Sequence, residues 1–177
     1  MPAMELSPRF DFGKALSMDA EAVGQPGQRR FRLLVRSAKE SASIWMEKEQ
    51  LAGVGRWLAE VVQKLDEERP TAQPNVEALP FPPEFDLDFR AGQLTLGYSE
   101  DGDLFTIQAA EALPDADAQP PLFRCAISRG QSRVLSRKIE RVIAGGRPIC
   151  PFCEGPIDPS GHSCPRSNGH RRPAPPV

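Results

Sequence analysis

Long hydrophobic runs are missing. Nothing in the sequence approaches the ~20 consecutive apolar residues that span a bilayer, which excludes a helical integral membrane protein. Histidine is nearly missing too. There are two, His162 and His170, both close to the C-terminus. A Ser/His/Asp triad needs a histidine elsewhere, and no HExxH run occurs, so the common hydrolytic constellations are excluded. No pair of carboxylates stands out as an acid and base. Glu47 and Glu49 flank Lys48 at what reads as a strand-to-helix junction, and Asp86 and Asp88 alternate with Phe85, Leu87 and Phe89 as the outer face of a strand. Aromatics are scarce, at 7% of 177 residues, and most of the nine phenylalanines fall at positions a core requires. Trp45, Trp57 and Tyr98 are what remains for stacking. The N-terminus carries Glu5 and Asp11 and no apolar stretch, which reads against a secretory leader and points to a cytoplasmic protein.

What is present is enough for a core: 40% of residues are hydrophobic. Period-two alternation marks strands at Phe10 and Phe12, at Phe31, Leu33 and Val35, and at Ala42, Ile44 and Met46. Before the second of these, Gly24-Gln25-Pro26-Gly27 suits a type II turn, with Pro at i+1 and Gly at i+2. The period then lengthens. Leu51, Val54, Leu58, Val61, Val62 and Leu65 share one face of a helix of roughly five turns. Gly53 and Gly55 within it weaken the helix by ~1 kcal/mol each against Ala, and a close approach to the sheet would explain them. A phosphate loop does not, because this Gly-Val-Gly interrupts a helical period instead of preceding one.

Five prolines between Pro70 and Pro83 mark a linker. Strand alternation returns at Phe85, Leu87 and Phe89, at Leu94, Leu96 and Tyr98, and at Phe105, Ile107 and Ala109, with Asp101-Gly102 as a hairpin signal between the last two. After a loop at 112–121, Phe123, Cys125 and Ile127 form another strand, in which Cys125 reads as a small buried hydrophobe. A second helix follows with Leu135, Ile139, Val142 and Ile143 on one face, and Gly145-Gly146 ends it.

The expected fold is therefore α+β, with two antiparallel four-stranded sheet plus helix (ββββα) halves at 8–68 and 84–146, joined by a linker at 69–83. A C-terminal zinc-ribbon-like knuckle at 147–172 and a disordered tail at 173–177 complete it. Ile44 to Gln50 aligns over Cys125 to Gln131, and the apolar helix positions follow at the same offset. The expectation drawn from this is an internal duplication, each half covering the other's apolar face. The alternative is two unrelated antiparallel segments with similar patterning. Such paired halves resemble the Whirly, PC-four and Pur families of single-stranded nucleic-acid binders, at the level of fold only.

Three of the four cysteines, Cys150, Cys153 and Cys164, fall in one 15-residue window. In a chain read as leaderless, such a cluster suits metal ligands better than disulfides. A Cys-Pro-Phe-Cys turn brings two thiolates onto one ion and aims backbone N–H groups at the sulfurs. Cys164 supplies a third sulfur, and His162 or His170 the fourth ligand, with the Gly161-His162-Ser163-Cys164 turn favouring His162. Zinc is the expected cofactor, and four protein ligands close its tetrahedron, so the metal reads as a structural staple. Reduced free thiols in a proline-rich tail are the competing reading. A redox pair is a poorer one, since this CxxC lies between prolines and opens no helix.

The run Cys-Pro-Phe-Cys-x-x-Pro-x-Asp-Pro-x-Gly-His-x-Cys-Pro-Arg-x-Asn-Gly-x-Arg-Arg is similar to the C-terminal signature of a bacterial family, domain-of-unknown-function family 3090, common in actinobacteria. Gly24 to Gly27 before a Phe-rich strand resembles that family's N-terminal signature, and the likeness covers about Phe10 to Arg172. The resemblance implies no activity. It does imply His162 as the ligand, because Gly-His-x-Cys belongs to the family pattern while the residue at His170 varies.

The net charge of -2 hides a polar distribution. From Arg124 to Arg172 there are ten Lys and Arg against Glu140, Glu154 and Asp158, a surplus of seven, and the remainder carries -9. Arg133, Arg137 and Arg141 recur every four residues on the second helix, near Arg171-Arg172. One reading is contact with nucleic-acid phosphates. The other is a solvated face that pairs with the acidic half, within the chain or across a dimer. Function follows the same division. The favoured expectation is a non-enzymatic zinc-containing adaptor or regulatory protein acting through protein partners. The alternative is a single-stranded RNA or DNA binding module that uses the basic helix face and the knuckle, and an enzyme of unfamiliar type is a third possibility.

Overall fold

In the computed structural model, the described residues are 7–25, 27–71, 79–114, 120–145, 150, 152–153, 157 and 162–164. They form β1 (Phe10–Lys14), β2 (Ser17–Val23), β3 (Arg30–Arg36), β4 (Ser41–Met46), α1 (Lys48–Glu68), β5 (Leu87–Ser99), β6 (Leu104–Glu111), β7 (Phe123–Ser128) and α2 (Arg129–Ala144). The chain divides into a larger unit, residues 1–143, and a smaller one, 144–177. No helix among the described residues is long and apolar enough to cross a membrane.

The local reading of the sequence accounts for most elements. Gln28 N–H bonds the Gln25 carbonyl at 2.9 Å, and Gly27 has φ +89°, as the i+2 position of a type II turn demands. Pro26 of that turn lies outside the described residues. In α1 the buried positions are Leu51, Val54, Gly55, Leu58, Val62 and Leu65, one stripe at helical spacing. Glu47 caps its start. The Glu47 side chain accepts from the backbone of Gln50, and the Gln50 side chain returns a bond to the Glu47 N–H.

The expected pair of separate four-stranded antiparallel sheets related by duplication is not what these elements build. They form a single mixed seven-stranded sheet in the order β1-β7-β6-β5-β4-β3-β2. Two parallel pairings fuse what would have been separate halves. β1 runs alongside β7, with Phe10 opposite Phe123, and β4 runs alongside β5, with Ala42 opposite Leu87 and Ile44 opposite Phe89. Thus the first strand of each segment pairs with the last strand of the other. Residues 85–89 and 94–98, expected as two strands, belong largely to one long β5. Its start pairs with β4, its remainder pairs with β6, and the register shifts between Ala91 and Gln93.

The two ends of the sheet also meet. Only Ala15 and Leu16 separate β1 from β2, yet Ala15 N–H bonds the Ala126 carbonyl on β7 (2.9 Å) and Leu16 N–H bonds the Arg36 carbonyl on β3 (2.8 Å). The sheet therefore curls until its first and last strands are consecutive in the chain. One buried cluster fills it. Leu33, Val35, Ile44, Phe105, Ile107, Phe123, Cys125 and Ile127 from the strands meet Leu51, Leu58, Leu135 and Ile139 from both helices. The helices touch closely: a Cβ on Gly55 would lie 2.7 Å from Ile139 Cγ2. Gly55 thus serves approach to the second helix, whereas nothing stands within 4 Å of a Cβ on Gly53.

The other face of the sheet is partly roofed by the end of the proline-rich stretch and the residues just after it. Ser17 Oγ donates to the Leu79 carbonyl, Arg36 to the Pro80 carbonyl, and the N–H and Oγ of Ser41 to Asp86. Those two bonds from Ser41 hold the Asp86 carboxyl below its usual pKa.

Candidate metal centre

In the smaller unit, Cys150, Cys153, His162 and Cys164 come together, with their ligand atoms all within 4.8 Å of one another. Cys150 is buried and the other three are half-buried. The Cys150 and Cys164 sulfurs stand 3.7 Å apart. That is far beyond the ~2.0 Å of a disulfide. It matches the ~3.8 Å between two sulfurs each ~2.3 Å from one tetrahedral ion. Cys153 Sγ and His162 Nε2 are 3.1 Å apart. The corresponding tetrahedral edge is ~3.5 Å, so seating an ion asks these two atoms to part by a few tenths of an ångström.

The Cys-x-x-Cys turn sets the electrostatics. Backbone N–H groups of Cys153 and Phe152 point at the Cys150 sulfur and, with the Cys164 and Cys153 thiols, outweigh partial burial and lower its pKa to about 6. The thiolate is the form that binds metal. Three sulfurs, one imidazole and a turn that favours negative sulfur fit a metal ion, and the cluster can hold one. His170 lies outside the described residues.

The fourth cysteine belongs to another environment. Cys125 is fully buried in β7, and burial pushes its thiol up to about 12, so it behaves as an apolar core residue.

The arginines of the basic run do not form one surface. Arg133 turns toward α1, where its guanidinium meets Asp66 at 2.6 Å, and only 11% of its side chain is exposed. Lys138 meets Asp19 at 3.1 Å. Arg137 and Arg141 are exposed, and Arg141 Nε bonds the Arg137 carbonyl. Arg171 and Arg172 lie outside the described residues. Arg129 was not singled out by the helix pattern, yet among the described residues of the run it is the most buried charged side chain. Its guanidinium reaches Asp103 at 2.8 Å, the Arg69 carbonyl at 2.8 Å and the Leu65 carbonyl at 3.3 Å. Its position just after the strand Phe123 to Ile127 is the signal for it, since a residue there sits at the sheet end where α1 also terminates.

Comparison with curated proteins gives no match, and comparison with solved structures gives none either. The family described as "Protein of unknown function (DUF3090)" matches residues 10–164, most of the chain and all four cluster residues. With the turn before β3 and the Cys/Cys/His/Cys cluster both inside that span, the chain belongs to the DUF3090 family.

Proposed function

We propose that the cluster holds zinc as a structural ion, and that the protein is a non-enzymatic adaptor or regulatory protein acting through protein contacts. The observation that carries this reading is the donor set. Three thiolates and one imidazole fill a tetrahedron and leave no position for a substrate, unlike catalytic zinc sites with their open fourth place. Thiolate-rich sets also favour zinc over the harder divalent cations.

A nucleic-acid surface along α2 has less support. Arg129, Arg133 and Lys138 are engaged by Asp66, Asp103 and Asp19 of the acidic segments, which is the internal pairing that the charge asymmetry allowed. Exposed Arg137 and Arg141 then stand without the rest of the stripe.

Protein purified without added metal should carry about one equivalent of zinc. Less than ~0.5 equivalents, with Cys150, Cys153 and Cys164 all freely titratable, would overturn the metal reading. For the adaptor role, affinity capture with wild type and with Cys150→Ser is compared. A partner lost with the metal supports it, and an identical set of co-purifying proteins counts against it.

A further inference from the structure

Thiolates that hold a metal are also reductants, and the smaller unit sets two of its three as a pair. The Cys150 and Cys164 sulfurs stand 3.7 Å apart, so reaching the ~2.0 Å of a disulfide asks them to approach by about 1.7 Å. Cys153 is engaged differently, its sulfur meeting His162 Nε2 at 3.1 Å. The Cys153 thiol also bears on the Cys150 sulfur, less strongly than Cys164 does. The facing pair is therefore not the Cys-x-x-Cys pair. It joins the first turn of the cluster to the second, across 14 residues of sequence. In a metal-loaded cluster all three sulfurs are already thiolates, which is the reactive form.

The two sulfurs differ in access. Cys164 is half-buried, whereas Cys150 is 4% exposed. A small oxidant therefore meets Cys164 first, and Cys150 is the inner partner that answers it. An accessible thiol beside a resolving one is the arrangement that redox-sensing cysteines share. The fourth cysteine does not compete, because Cys125 is fully buried in β7 of the larger unit.

We propose that Cys150 and Cys164 form a reversible oxidation site, in which a hydroperoxide joins them as a disulfide and the cluster thereby gives up its metal. The release of metal rests on the zinc reading above. The Cys164 thiolate attacks the peroxide, the O–O bond breaks, hydroxide leaves and the sulfur becomes a sulfenic acid. The Cys150 thiolate then displaces a second hydroxide from that sulfur, and the S–S bond forms. Two electrons pass from the two sulfurs to the peroxide, and two protons from solvent turn the hydroxides into water. With two of four donors consumed, Cys153 and His162 alone grip a divalent ion far more weakly. A thiol reductant returns both electrons by exchange and restores the donor set.

Oxidation of the full chain with excess hydrogen peroxide tests this, with released zinc read by a chromogenic chelator and the linkage mapped by peptide mass spectrometry. Zinc bound before oxidation tests the metal reading. The linkage map tests the thiol pair, in loaded and in chelator-stripped protein alike. Zinc should be released in about equal number to the disulfides formed, one ion for each cluster closed. The linkage should be Cys150 to Cys164, Cys125 should stay unmodified, and dithiothreitol should restore zinc binding. Cys150→Ser removes the resolving sulfur, so dimedone should trap a sulfenic acid on Cys164 at least ~10-fold more than in wild type. The wild-type map guards against a variant that fails to fold. A Cys150 to Cys153 linkage would overturn the proposal. So would thiols that all remain alkylatable, oxidation that runs past the disulfide to sulfinic acid, or zinc retained after the disulfide has closed. Protein without zinc at the outset would overturn the metal reading and the release together, and the linkage in that same sample still decides the pair.

Discussion

Arg129 shows how a single charge can be buried and useful. α1 ends without a basic residue in its last turn, so its terminal carbonyls lack a cation of their own. Arg129, the first residue of α2, supplies one across 60 residues of sequence by donating to the Leu65 and Arg69 carbonyls. Its remaining donors are on Asp103, which sits in the hairpin turn at φ +50° and also accepts from the Tyr98 hydroxyl. Replacing Arg129 by Met leaves the carbonyls facing an apolar chain, while Asp103, 38% exposed, is partly taken over by water, so urea denaturation should show a loss of ~1–3 kcal/mol. Arg129→Lys should recover only part of that, because a single ammonium cannot reproduce the fork. Asp103 shares the acid dependence with Asp86, whose carboxyl is also lowered. Partial burial raises the Asp103 pKa, but the bonds from Arg129 and Tyr98 and the charges of Arg129 and Arg69 outweigh it and hold the group below its usual range. The folded protein therefore binds this proton more weakly than the unfolded chain does. Its contribution should be complete above about pH 4 and decline as pH falls through the lowered folded value. Denaturation midpoints between pH 5 and pH 2 check this, and Asp103→Asn should reduce the dependence over that window, leaving the share that belongs to Asp86.

At the scale of elements, two glycines only two residues apart, and so on nearly opposite sides of α1, should respond in opposite directions. Gly53→Ala meets open space and gains helix propensity, so it should stabilise by ~0.5–1 kcal/mol. Gly55→Ala drives a methyl to 2.7 Å from the stiff, β-branched Ile139, so thermal unfolding should show destabilisation of ~1–3 kcal/mol. Ile139→Val removes Cδ1 and keeps Cγ2, so it should not rescue Gly55→Ala, whereas Ile139→Ala should do so in part. The sequence carried the reason for a small residue there without saying what approaches it. The same division runs through the strands. Alternation at Phe31, Leu33 and Val35 or at Phe105, Ile107 and Ala109 identifies which side chains face inward. It does not say which strand lies alongside, because a period of two is the same for parallel and antiparallel neighbours. That is why β1 with β7 and β4 with β5 escaped the reading from sequence. β2 escaped for a different reason: Ser-Met-Asp-Ala-Glu-Ala-Val has small and acidic residues at an edge, and only Ser17 and Ala20 within it are buried.

For the whole molecule, the hydrophobic core and the candidate metal cluster fall in different stretches of the chain. Every residue of the buried cluster and its satellites lies between Phe10 and Ile143, while the ligand cluster begins at Cys150. Chelation, or Cys164→Ser, should therefore leave the main calorimetric transition in place while exposing Cys150 and Cys153 to alkylation, which mass spectrometry reads directly. The four clustered side chains were legible in the sequence as candidate ligands, because Cys-x-x-Cys and Gly-His-x-Cys are local turns whose chemistry travels with the spacing. The grouping of Arg30, Lys48 and Arg90 around Trp45 was not: the antiparallel β3–β4 pairing sets Arg30 beside the end of β4, but Arg90 arrives only through the parallel pairing of β4 and β5.

The corner at Ala15 and Leu16 sets an order of events during synthesis. β2 has its partner as soon as β3 leaves the ribosome, but Phe10 and Asp11 wait for Phe123 and Arg124. A stretch emerging among the first must stay unengaged until nearly the last strand has been translated. Closing the ring is thus a late, long-range step, and ribosome-stalled chains ending before Phe123 should hold a meander with an unclaimed apolar flank, the kind of nascent species that chaperones meet.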